Sequence, residues 1–221
     1  MNPYYLPSIA SVFMWSYNKR SSGKARKYSW DYDNNYDIFS KSLSSGKVTR
    51  LTSSDGYDAE ASFSPQGDKI LFSSNREAYS KPLNSEQNSL LQRDPAVFND
   101  LYIMNSDGSN TVRLTDTLGY DGGPFFNSTG DTICWRRFSS DGHNAEIYTM
   151  SLDKRKENRL TNLEVMSWAP YFHPSNKYII FSTNIHGFNN FELYIVDSKG
   201  QKDPVRVTVR EGFDGLPSFS P

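Results

Sequence analysis

The chain has 221 residues, 24 basic side chains against 25 acidic ones, 14 Tyr, 14 Phe, 14 Gly and 11 Pro; charge this balanced excludes recruitment of nucleic acid or an anionic membrane by a global field. The aromatic, turn-rich composition favours many short strands over long helices. No stretch approaches the roughly 20 apolar residues of a bilayer span, and the opening Met1-Asn2-Pro3-Tyr4-Tyr5 lacks the basic start of a secretory signal.

In chain order, Leu6-Pro7-Ser8-Ile9 looks like Leu216-Pro217-Ser218-Phe219, which predicts an irregular first unit beginning near residue 6, with Ser11-Val12-Phe13-Met14-Trp15 as its second strand. The connection 18–35 holds Lys19, Arg20, Lys24, Arg26 and Lys27, then Trp30-Asp31-Tyr32-Asp33. A basic run beside aromatics could grip an anionic partner, but a solvated insertion is the favoured reading. Asp31, Asp33, Asn35 and Asp37 have the oxygen spacing of a calcium loop. Tyr36 then stands where the turn glycine belongs and Ser42 where the bidentate glutamate belongs, so no metal is assigned.

From Asp37 onward the chain repeats itself. Asp37-Ile38-Phe39, Asp100-Leu101-Tyr102, Glu146-Ile147-Tyr148 and Glu192-Leu193-Tyr194 each join an acid, an aliphatic and an aromatic residue. Each is followed 13 or 14 residues later by Arg50-Leu51-Thr52, Arg113-Leu114-Thr115, Arg159-Leu160-Thr161 or Arg206-Val207-Thr208. A third column reads Phe63-Ser64-Pro65, Phe126-Asn127-Ser128, Phe172-His173-Pro174 and Phe219-Ser220-Pro221, and all columns recur at 63, then 46, then 46 or 47 residues. In the second repeat this predicts strands over 59–64, 69–74, 99–105 and 111–115, with turns at Pro65-Gln66-Gly67-Asp68 and Asn105-Ser106-Asp107-Gly108. Four strands per repeat is the content of one propeller blade. Apolar runs such as Ile70-Leu71-Phe72 and Ile179-Ile180-Phe181 are expected to pack against neighbouring blades.

These residues resemble the TolB-like, WD-related β-propeller repeat, whose motif places Asp before an aromatic-Ser-Pro-Asp-Gly turn and then an apolar strand. The match here runs from Asp58 through Phe63-Ser64-Pro65-Gln66-Gly67-Asp68 to Ile70-Leu71-Phe72, with fainter copies from Asp121 and Asp214. The third copy departs, with Ser167 in place of Asp and Asn176 in place of the turn glycine. The expected fold is therefore all-β, a propeller of four-stranded antiparallel blades: blade 1 about 6–52, blade 2 about 58–115, blade 3 about 121–161, blade 4 about 167–208, and the start of a fifth at 214–221. Propellers of this family usually close with six or more blades, so about four are expected to be part of a larger ring. The alternative is that strand 216–220 joins the first blade and closes a small one.

Strand alternation puts the second-to-third connections 18–35 and 76–98 on one face of the disc, side by side, together with the Asp column Asp58, Asp121 and Asp214. That face is the candidate binding surface: Asp58, Asp121, Asp214, Arg26, Lys27, Trp30, Asp31, Asp33, His143 and His186. For the aspartates the favoured role is structural, each accepting backbone N–H bonds at the entry to an inner strand. His143 and His186, in the second-to-third loops of consecutive blades, could be neighbours, but two histidines without a third ligand make no metal site.

Cys134 lies in the apolar run Thr132-Ile133-Cys134-Trp135 and reads as a core residue. Asn127-Ser128-Thr129 fits a glycosylation sequon inside the turn column. No Gly-x-Ser-x-Gly elbow, His-Glu-x-x-His, phosphate-binding glycine loop or Cys-x-x-Cys is present. No catalytic residue, metal or cofactor is assigned. Two functions remain: a non-catalytic scaffold binding proteins or peptides over the channel mouth, which the resemblance would place in the periplasm or another extracytoplasmic space, or the propeller portion of a larger prolyl-oligopeptidase-type hydrolase.

Overall fold

The computed structural model describes residues 36–220 and the short strand Ser11–Phe13. Four antiparallel sheets follow one another along the chain. The first has three strands, β1 (Ser11–Phe13), β2 (Phe39–Lys41) and β3 (Val48–Arg50). The second is β4 (Asp58–Phe63), β5 (Lys69–Ser74), β6 (Asp100–Asn105) and β7 (Val112–Arg113), within two residues of each expected boundary. The third is β8 (Asp121–Phe126), β9 (Thr132–Phe138), β10 (Ala145–Ser151) and β11 (Lys156–Arg159). The fourth is β12 (Ser167–Phe172), β13 (Tyr178–Thr183), β14 (Glu192–Asp197) and β15 (Val205–Arg206). Each strand pairs with its sequence neighbours, as in the blades of a propeller.

The period of two along each second strand decides where the core sits. Ile70 and Phe72 face Ile38 of the first sheet, while Leu71 between them faces Ile133 and Trp135 of the third. Cys134 then faces Phe172, Ile179 and Phe181 of the fourth. At least one apolar cluster thus fills each gap between sheets, and no blade buries both faces without its neighbours. Cys134 is fully buried in this packing, which pushes its thiol well above the ordinary range and leaves it inert.

The turn column owes its shape to local hydrogen bonds. Gly67 and Gly130 adopt φ of 74° and 77°, and Asn176 takes the same place at 60°, a conformation Asn tolerates better than other side chains. The Asn176 side-chain Oδ1 also accepts the Ser128 backbone N–H at 2.9 Å, joining two blades. Asn127 is 5% exposed; its amide donates to Asp131 at 2.8 Å and accepts the N–H groups of Asp131 and Thr132, so the sequon asparagine is committed to its turn.

A second device lies on the innermost strands β4, β8 and β12. Each carries a bulge two residues after its first residue. The bulged residues Glu60, Gly123 and Ala169 have φ of 53°, 59° and 47°, and Leu216 repeats the conformation at 54°. Only one copy is glycine. An L residue there costs about 1–2 kcal/mol, so Ala169→Gly is expected to stabilise by about 0.5 kcal/mol after the extra unfolded-chain entropy is counted. Gly123→Ala is expected to destabilise, because a Cβ would lie 2.4 Å from Nη1 of the buried Arg136. Urea denaturation of the two variants reads the opposite signs.

Residues 76–98 are not the plain loop expected from sequence. They form α1 (Glu77–Ser80), α2 (Ser85–Arg93) and a 3₁₀ turn (Pro95–Phe98). Asn84 caps α2 by accepting the Gln87 amide, while the Gln87 side chain returns to the Asn84 N–H, a reciprocal capping box. No residue of α2 is buried, so α2 stands over the disc face, while Ala78 of α1 and Val97 of the 3₁₀ turn anchor the insertion.

Candidate functional site

The repeated acid, arginine and threonine columns form one latch per blade. The threonine hydroxyl accepts the backbone N–H that follows the acid, at 2.9 Å in all four blades: Ile38 to Thr52, Leu101 to Thr115, Ile147 to Thr161 and Leu193 to Thr208. The arginine pairs with the acid, as Arg50–Asp37, Arg113–Asp100, Arg159–Glu146 and Arg206–Glu192. The third strand is thereby fastened to the end of the fourth.

The latches differ by one methylene. Thr208 donates to Glu192 at 2.5 Å and Thr161 bonds Glu146 closely, whereas Thr52 reaches Asp37 at 3.2 Å and Thr115 reaches Asp100 only at 3.5 Å. Burial pushes the Asp100 carboxyl up to about 7, against the pull of Arg113. Glu192 ends below its ordinary range, because its bonds from Thr208 and Arg206 outweigh desolvation. An acid whose folded pKa is raised binds its proton more tightly when folded. Its contribution to stability is therefore full below about pH 4 and is lost as pH rises through about 7. Urea midpoints across this window are expected to fall more in the wild type than in Asp100→Asn.

The Asp column is a second set of ion pairs. Asp58 is buried and bonds Arg76 at 2.7 Å; Asp121 is buried and holds Arg137 bidentately at 2.6 and 2.7 Å. Each guanidinium lies over two rings of its own blade: Arg76 is 5.0 and 5.1 Å from Phe72 and Tyr102, and Arg137 is 5.7 and 4.7 Å from Trp135 and Tyr148. Burial raises the Asp121 carboxyl, opposed by Arg137. Burial likewise opposes the charge of Arg137, but its bonds to Asp121 and Glu157 outweigh it and hold the group charged. The expected backbone N–H acceptor role is thus replaced by arginine pairing, and neither carboxylate is exposed to a partner. Ser167 holds the third position with a 3.3 Å bond to Thr183, and Asp214 is half-buried.

The two histidines have different partners. His143 is exposed, its backbone N–H bound to Asp141. The Nε2 of His186 lies 2.7 Å from the Tyr194 hydroxyl, with the two rings stacked. Among the described residues no group of His, Cys, Asp and Glu could hold a metal. Arg26, Lys27, Trp30, Asp31 and Asp33 lie outside the described residues.

Sequence reasoning missed a groove on the same disc face, with a volume of 880 Å³. Its walls are the end of the helical insertion (Arg93–Val97), the loop 139–144, residues 164–166 and the loop after β13. Tyr120, Phe138 and Met166 form an apolar cluster under it with Ala145 and Phe191. Among the described residues, His143 is the one member of the sequence-derived candidate set that lines it. The available signal was positional: these segments are equivalent connections of consecutive blades. Beside it lies a polar depression of 300 Å³ lined by Arg137, Glu146 and Arg159, whose charges already pair within the blades.

No family model matches the chain. It is 28% identical over 119 residues to an uncharacterized protein of Agrobacterium fabrum, covering 54% of this chain and 34% of that protein. Among solved structures it is similar to TolB from Acinetobacter baumannii, with TM-score 0.64, 19% identity, and coverage of 86% of this chain and 42% of that one. A candidate TolB of Agrobacterium tumefaciens gives TM-score 0.59 and 19% identity over 83% of this chain and 62% of that one. A prolyl endopeptidase gives 0.53 and 15% over 82% and 27%. The chain spans about a third of the curated relative and less than two thirds of either TolB structure. The fold is that of a TolB-like β-propeller, and no helix among the described residues is long and apolar enough to cross a membrane.

Proposed function

We propose that this chain is a non-catalytic propeller scaffold that binds a protein or peptide on the disc face carrying the helical insertion, and that it works in the bacterial cell envelope. The groove carries the reading. Three consecutive blades contribute to it, its floor is apolar, and its size suits several residues of a partner. The buried charges nearby are spent on latches and stacked ion pairs, which leaves them to hold the loops rather than to do chemistry. The likeness to TolB structures supports the interaction role and the envelope setting, as the resemblance of the repeat implies.

The second reading, the propeller portion of a larger serine hydrolase, draws on the likeness to prolyl endopeptidase. Hydrogen exchange of the purified chain, with and without a pool of random peptides, separates the two. The scaffold reading expects protection over 93–97, 139–144 and 164–166 and no turnover of ester or peptide substrates. Protection confined to the opposite turn face, or hydrolysis above background, would overturn it.

A further inference from the structure

Resting on that scaffold reading, we infer that the groove receives an extended peptide segment in which an apolar side chain is flanked by lysine or arginine. The floor supplies the first half of the recognition. Tyr120, Phe138 and Met166 are 5%, 7% and 6% exposed and packed on one another, so a partner side chain entering above them meets a preformed apolar surface rather than one it must assemble.

The rim supplies the second half. Three carboxylates, Asp94, Asp141 and Glu164, line the groove against one guanidinium, Arg93. Asp94 accepts the Ala96 N–H, and Asp141 accepts the Ser139 hydroxyl and the His143 N–H. All three donors are neutral, so the charges stay uncompensated and favour a cationic partner. Glu164 forms no ion pair among the described residues.

Glu164 is also held in place. Its backbone is left-handed, with φ of 57°, although it is not glycine. Its N–H is bound by Glu146 Oε1 at 2.8 Å, and the Asn144 amide, oriented to satisfy both its atoms, donates to its carbonyl at 2.9 Å. A strained conformation fixed from both sides sets the point of the wall from which the exposed Glu164 side chain leaves the backbone. The neighbouring depression also includes Glu164, which therefore stands on the ridge between the two. A negative rim over an apolar floor rejects nucleic acid and acidic or phosphorylated segments by like-charge repulsion.

Fluorescence anisotropy of the whole chain tests this with three labelled peptides in a Gly-Ser background: a Leu-Lys-Phe-Lys core, its Leu-Glu-Phe-Glu twin and its Leu-Ser-Phe-Ser twin. The basic peptide is expected to bind about tenfold more tightly than the acidic one, with the difference shrinking as salt rises. Glu164→Gln is expected to weaken the basic peptide about threefold. Ala96→Trp, which fills the groove, is expected to abolish binding while leaving the melting curve two-state. Equal binding of the basic and acidic peptides, or basic binding that both variants leave untouched, overturns the inference. Tighter binding of the neutral or acidic twin than of the basic peptide, removed by Ala96→Trp, overturns the charge assignment alone and leaves the scaffold reading standing. Failure of all three to bind also overturns it, and the hydrogen-exchange experiment with random peptides then judges the scaffold independently.

Discussion

Asp121→Ala is expected to lower the unfolding free energy by about 3–5 kcal/mol, the range for removing one partner of a buried ion pair. Asp121 is fully buried, and the Arg137 side chain is 9% exposed. Both guanidinium edges are in use: Asp121 on one, Glu157 at 2.6 Å on another, with the plane over Trp135 and Tyr148. Without Asp121 the charge remains in the blade, held by Glu157 alone among the described residues. The fourth sheet shows what the same register position accepts without charge, since Ser167 lies opposite Thr183 where Asp121 lies opposite Arg137. The double variant Asp121→Ser, Arg137→Thr is therefore expected to lose less than Asp121→Ala alone. Urea unfolding with an unchanged m-value reads both. A double variant as damaged as the sum of its single changes would show that the two charges are not coupled.

How much of this could be read beforehand depends on whether residues act near each other in sequence. The blade count, strand positions and turn chemistry follow from local patterns, and Asn176 filling a glycine position is the same chemistry in another residue. The latch was visible as spacing but not as a bond, because it needs the register: Tyr102 opposite Arg113 and Tyr148 opposite Arg159 bring acid, arginine and threonine to one end of a hairpin. The insertion was visible as extra length, yet α2 buries nothing and so shows no helical apolar period; only Asn84 and Gln87 announced it. The groove had no linear signature, since Val97, Tyr120, Phe138 and Met166 come from four separate segments. The aspartate column was found, but its arginines were not, because Arg76 lies two residues beyond the register position that Arg137 occupies.

Glu60 is the position where fold and groove meet, and its variants are expected to rank by charge and by backbone strain together. One oxygen accepts the Tyr120 hydroxyl and the Gly123 N–H at 2.8 Å each; the other accepts Arg136 at 2.7 Å. All three bonds cross from the second blade to the third. Arg136 in turn lies 5.0 Å over Tyr120 and 5.7 Å over Phe138, the rings of the groove floor. Glu60→Ala removes the carboxylate from a 5% exposed arginine and is expected to cost about 3 kcal/mol. Glu60→Gln keeps the shape and two of the hydrogen bonds while losing the charge, at about 1.5 kcal/mol. Glu60→Gly loses every contact that alanine loses, but φ of 53° no longer carries a Cβ, so it is expected to be more stable than Glu60→Ala by up to about 1 kcal/mol. Gln above Gly above Ala is thus the predicted order of urea midpoints. An alanine variant more stable than the glycine one would mean that the bulge relaxes to an ordinary strand once the clasp is gone. Because the same arginine covers Tyr120 and Phe138, the order of stability should reappear as the order of affinity for whatever the groove binds.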